Sequence, residues 1–162
     1  AAISIAINAM EGVNVGAPSI DPVTGSSYLV GGRSATAVAT AWAAYGTVPG
    51  VLDTYPNWDP TAIASSTPTV PMTTSVSRNG TDFTVTTLIG TCYQPIAGGD
   101  CAKAPGYPAT PPGATPSGLA DRMMRIITIV EWTAGDNCSA VSDCQYWTVS
   151  LVDGNGDLEW RN

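Results

Sequence analysis

Residues 72–92 read MTTSVSRNGTDFTVTTLIGTC. Two runs rich in Thr and Val, Met72–Ser77 and Asp82–Ile89, flank Arg78-Asn79-Gly80-Thr81. An Asn-Gly pair takes the positive φ angles of a tight two-residue turn, so the pattern predicts an antiparallel hairpin. In its second arm Phe83, Val85, Thr87 and Ile89 alternate with Thr84, Thr86 and Leu88, which makes one face the more apolar. Residues 123–132, MMRIITIVEW, add a strongly β-branched strand. Its one face carries Met123, Arg125, Ile127, Ile129 and Glu131, its other Met124, Ile126, Thr128, Val130 and Trp132. Gln145 to Val152 predicts a further strand, and Asp153-Gly154-Asn155-Gly156 turns into Asp157–Trp160. Residues 72–160 therefore read as an antiparallel sheet region.

The first half has a different period. Ala2, Ile3, Ala6, Ile7 and Met10 recur at three- and four-residue spacings, one apolar face of a helix over residues 1–11 that Gly12 should end. The alternation of Ile3, Ile5 and Ile7 would also suit a strand. A second helix is expected over residues 34–45, with Ser34 as N-cap, a Val38–Trp42–Tyr45 stripe and Gly46 as stop. Residues 48–69 read as a loop laid over the surface, and 102–118, with five prolines, as irregular chain. Helices followed by an antiparallel sheet make an α+β fold, expected as a single domain over residues 1–162 with no internal repeat.

Composition excludes several functions. The chain has no histidine, which removes Ser-His-Asp and Cys-His catalysis and the usual zinc sites. Six Lys and Arg against thirteen Asp and Glu give a net charge of −7, the wrong sign for a nucleic-acid partner. Charged residues are 12% of the total, about half the usual share. The chain does not read as an enzyme.

Cys92, Cys101, Cys138 and Cys144 form an even set in a chain without a CxxC, which suggests two disulfides and an oxidising, extracellular compartment. Three connectivities are open; the local one, Cys92–Cys101 with Cys138–Cys144, is preferred because each pair closes a short loop. No stretch approaches the roughly 20 apolar residues of a membrane span. The abrupt apolar start favours a chain whose targeting segment lies upstream.

Few residues could carry chemistry. Asp153, Asn155, Asp157 and Glu159 alternate as at the start of a calcium loop, but Leu158 stands where such a loop needs Gly. The plainer reading is a turn with solvated acids, and calcium there requires ligands from other loops; no other cofactor is expected. Of the five tryptophans, Trp132 and Trp147 fall in strands and are expected in or near the core. Tyr55 and Trp58, in the loop Tyr55-Pro56-Asn57-Trp58-Asp59, are the candidates for an exposed ligand-stacking platform. Asp53 and Asp59 make no convincing catalytic pair, and Lys103 is the only lysine.

Three segments together resemble a family: residues 79–92, Arg125–Thr133 followed by the cysteine loop, and Tyr146–Val152. The pattern, over roughly residues 72–160, is similar to the globular part of the type IV pilin-like (prepilin-type or pseudopilin-like) proteins of Gram-positive, especially actinobacterial, cells. The resemblance implies a helix anchored in the membrane and later packed in a filament core, its second half lying on an antiparallel sheet. Residues 1–11 would be the tail of that helix, a truncated stalk. The prepilin leader, the apolar stalk and the early glutamate of the family are not in this sequence, and two local cysteine pairs differ from the single long loop of many pilins.

The expected function is then a non-enzymatic minor pilin or pseudopilin, a structural subunit of a type IV pilus or a type II secretion-like filament at the cell surface. Its partners would be other pilin subunits and, through a helix outside this chain, the membrane. A secreted carbohydrate- or surface-ligand-binding module using Tyr55 and Trp58 is the alternative.

Overall fold

The computed structural model describes residues 1–14, 28–104, 120–133 and 144–153. It is an α+β molecule: helix α1 (Ala2–Asn14), a 3-10 turn (Tyr28–Val30) and helix α2 (Ala35–Ala44) precede strands β1 (Tyr55–Pro56), β2 (Thr73–Arg78), β3 (Thr81–Pro95), β4 (Ala120–Trp132) and β5 (Gln145–Asp153). The strands form one antiparallel sheet in the order β1-β3-β4-β5, with β2 also pairing β3.

The hairpin forms where the Asn-Gly pair stands. Asn79 (φ 52°) and Gly80 (φ 76°) occupy the two central positions, and Arg78 pairs with Thr81. β3 then runs past Ile89 to Pro95, further than the sequence pattern suggests. At Gly90 a Cβ would lie 2.4 Å from the Tyr55 carbonyl and 2.5 Å from Thr54 Cγ2. Only glycine lets β1 close on β3 there, where Tyr55 pairs with Thr91 and Pro56 with Gly90.

Both sheet faces are covered. On one, Phe83, Val85, Ile89, Met124, Ile126 and Val130 meet α1 through Ile5, Ala6, Met10 and Val13. On the other, Leu88, Ile127 and Ile129 meet Val38 and Trp42 of α2 and Val48 and Val51 of the next turn. With helices on both sides, β3 and β4 become near-continuous buried runs rather than alternating ones.

α2 begins at Ser34, whose Oγ accepts from the Ala37 N–H at 3.4 Å. α1 passes through Gly12, the expected stop, because Val13 is 3% exposed and fills the core beside Ile89. Burial of one more large side chain outweighs the roughly 1 kcal/mol that glycine costs a helix.

The segment 48–69 departs from a simple surface loop. Val48, Val51, Thr54 and Asn57 are buried, and it contributes β1 to the sheet. Asn57 N–H donates to Ile89 O at 3.1 Å, and its side-chain amide exchanges hydrogen bonds with Thr91 Oγ1 at 2.8 and 3.1 Å.

Cys92 and Cys101 are bridged and buried. Cys144 is buried and disulfide-bonded as well, but the expectation that it pairs with Cys138 falls outside the described residues. Among the described residues no helix is long and apolar enough to cross a membrane.

Candidate functional site

The first helix presents apolar residues on two sides. Ile5, Ala6, Met10 and Val13 turn into the sheet, while Ile3 and Ile7, one turn apart, stand 56% and 46% exposed. Glu11 is the helix's only charged side chain, so the outer surface of Ala2–Met10 carries no charged side chain. The Ile3 end opens on a groove lined by Phe83, Trp132 and Tyr146, in which the Phe83 and Trp132 rings lie 5.9 Å apart. On the other flank Arg78 Nη1 donates to Ser4 Oγ at 3.3 Å, tying β2 to the helix. The result is an apolar ridge and groove held rigidly on a sheet.

The loop aromatics are engaged in the fold. Tyr55 OH donates to Ala104 O at 3.0 Å, its ring meets Tyr93 edge-on at 6.4 Å, and Lys103 Nζ sits 5.4 Å from its centroid. Trp58 is half-buried against the α2 cluster. Neither presents the open platform expected of it, because this loop is drawn into the core through Thr54 and Asn57. Trp147, in contrast, is 42% exposed rather than packed inside, since α2 covers β3 and β4 but stops short of β5. Trp132 is half-buried.

The acidic candidates are scattered. Asp59 caps a turn: its Oδ2 accepts from Gly32 N–H at 2.9 Å, and its Oδ1 from the N–H and Oγ1–H of Thr61 at 2.8 and 2.6 Å. Those bonds, Thr61's first, hold its carboxyl below the usual range. Asp53 is exposed near Arg125. Of the alternating acids, Asp153 ends β5, and Asn155, Asp157 and Glu159 lie outside the described residues. Glu131 accepts from Tyr45 OH at 2.6 Å and from Gln145 Nε2 at 3.2 Å, a bond set that ties α2 to β4.

Two buried arginines escaped the sequence reading as structural centres. Arg33 is 1% exposed, and its guanidinium donates to the carbonyls of Val70 (3.0 Å), Thr87 (3.0 Å) and Pro71 (3.3 Å). Burial pushes its pKa down to about 10. Arg125 donates from Nη1 to Gly50 O (3.0 Å) and Thr54 Oγ1 (2.8 Å), and from Nη2 to Cys101 O, so one side chain joins the 50–54 turn, the disulfide and β4. Burial lowers its pKa, against the pull of Asp53 and Asp100. For Arg125 the sequence signal was its place on a strand face between Met123 and Ile127.

No family model, curated protein or solved structure matches the chain.

Proposed function

We propose that the chain is the globular part of a type IV pilin-like subunit, a non-enzymatic building block of a cell-surface pilus or secretion pseudopilus. The observation that carries the reading is the double-sided α1. A helix already docked on a sheet gains nothing within its own domain from exposed Ile3 and Ile7. Packed against equivalent helices of neighbouring subunits, both would be buried. The Phe83–Trp132–Tyr146 groove beside Ile3 extends the same apolar surface.

The buried Cys92–Cys101 bridge suits export to an oxidising compartment. The absence of histidine suits a structural rather than a catalytic role. The rival reading, a carbohydrate-binding module, needs Tyr55 and Trp58 free to stack on a ligand, and both are half-buried.

The test is a full-length form carrying a prepilin leader, produced in a pilus-forming host and followed by immunogold labelling and co-purification with other pilins. The wild type should enter filaments. Ile3→Asp with Ile7→Asp should be excluded from them while unfolding at the wild-type temperature, because exposed positions cost only about 0.5 kcal/mol. A wild-type protein released free into the medium, with no pilin partner, would end this reading.

A further inference from the structure

The two edges of the sheet are built differently. One edge is shared by β1, which contains Pro56, and by β2, which is exposed along most of its length and ends in Arg78. Proline and a projecting cation are ordinary safeguards against edge-to-edge pairing. The other edge is β5, residues 145–153, sequence QYWTVSLVD. It has no proline, no lysine and no arginine, and its one charge, Asp153, is at the end. Among the described residues no strand pairs its outer side.

β5 also carries an exposed apolar stripe. Trp147, Val149 and Leu151 are 42%, 42% and 40% exposed, and they share the face that carries Ile129, Ile127 and Arg125 on β4. The other face of the strand, Tyr146 to Val152, is half-buried beside α1.

We infer that β5 is a homodimerisation edge, pairing antiparallel with β5 of a second copy about a two-fold axis at Val149. The sequence of the strand is self-complementary in that register. Val149 falls opposite Val149 of the second copy, Trp147 opposite Leu151, Thr148 opposite Ser150, Tyr146 opposite Val152 and Gln145 opposite Asp153. Val149, Trp147 and Leu151 meet apolar partners, the Tyr146 ring meets Val152, and Thr148 meets Ser150. An axis perpendicular to the sheet keeps like faces together, so the two Trp147–Val149–Leu151 stripes merge into a single patch of six side chains. The pairing is isologous and closes at two copies. It needs only the sheet, so it is independent of whether α1 enters a filament core.

Sedimentation equilibrium of residues 1–162 with the disulfides intact should give twice the 16.6 kDa chain mass. Val149→Lys sets two like charges face to face across the axis and should weaken association at least about tenfold, with the thermal unfolding profile retained. Register is read separately with nitroxide labels on single introduced cysteines. Labels at position 149 should couple strongly, because antiparallel partners sit about 5 Å apart. Labels at 145 should stand roughly 27 Å apart, eight strand residues along the axis. A monomer at ~1 mM would overturn the proposal, as would a Val149→Lys dimer of unchanged affinity or an open ladder of masses from β5 meeting β2. A monomer whose β5 amides resist hydrogen exchange would place another part of this chain on the edge, and overturns it equally.

Discussion

Thr128 lies in the middle of β4 with its side chain fully buried, and among the described residues its Oγ1 has no hydrogen-bond partner. Opposite it in the ladder stand Thr87 and Thr148, yet neither hydroxyl is within hydrogen-bonding geometry of it. An unanswered buried hydroxyl costs about 1–3 kcal/mol of desolvation. Thr128→Val keeps the volume and removes that cost. It should raise stability by about 1 kcal/mol, seen in urea as a higher midpoint at unchanged slope. A loss of stability would mean that the hydroxyl has an acceptor in solution. Tyr45 is the opposite case, because its hydroxyl lies between Glu131 and Thr86. Burial first, then the bond to Glu131, raises its pKa above the ordinary value of 10.0. The folded state therefore holds this proton more tightly than the unfolded chain. The contribution is fully present below about pH 10 and is lost as pH rises through the folded-state value. Tyr45→Phe should cost about 1–2 kcal/mol at neutral pH and should abolish that part of the alkaline fall in stability, measured as the wild-type-minus-variant difference between pH 8 and 11.

Among the elements, Gly90 decides whether β1 exists. Its missing Cβ makes room for the Tyr55 carbonyl, Thr54 Cγ2 and the Trp42 ring in one place. Gly90→Ala should cost about 1–3 kcal/mol and should open residues 54–58 before the central strands, which amide exchange at Asn57 would report. The α+β pattern, the N-terminal helix and the antiparallel sheet were legible because each is signalled within a few residues. Asn79-Gly80 specifies its own turn, Ser34 caps α2 locally, and β4 is a run of β-branched residues. What stayed hidden depends on partners distant in the chain. β1 is two residues long in a Pro-rich segment and is defined only by β3. α1 outruns Gly12 because Val13 finds a core built from β3 and β4. Arg33 and Arg125 take their roles only from carbonyls 24 to 75 residues away that converge on them. The half-burial of Tyr55 and Trp58 was hidden for the same reason, since the loop that carries them is anchored by Val48, Val51 and Asn57.

At the scale of the whole molecule, the disulfide does more than close its own loop. The Cys92–Cys101 bridge folds the chain back beside the end of β3, where Tyr93 and Ala102 exchange backbone bonds at 2.8 and 3.1 Å. The Cys101 carbonyl then receives Arg125 Nη2, and the same guanidinium holds Gly50 and Thr54. Bridge, arginine and turn form one chain of contacts across the face that β1 borders. Replacing both cysteines with serine should cost about 2–3 kcal/mol, the loop-entropy value for a short ring. The loss should not be spread evenly. If Arg125 transmits it, amides of the 50–57 segment, such as Thr54 bonded to Val51 O and Asn57 bonded to Ile89 O, should exchange faster than those of the β4–β5 ladder. An equal acceleration at all sites would show that the bridge acts on the unfolded chain alone. The contrast separates a staple on the ensemble from a strut within the fold, and the bonds of Arg125 to Thr54 and Cys101 are the contacts through which a strut would act.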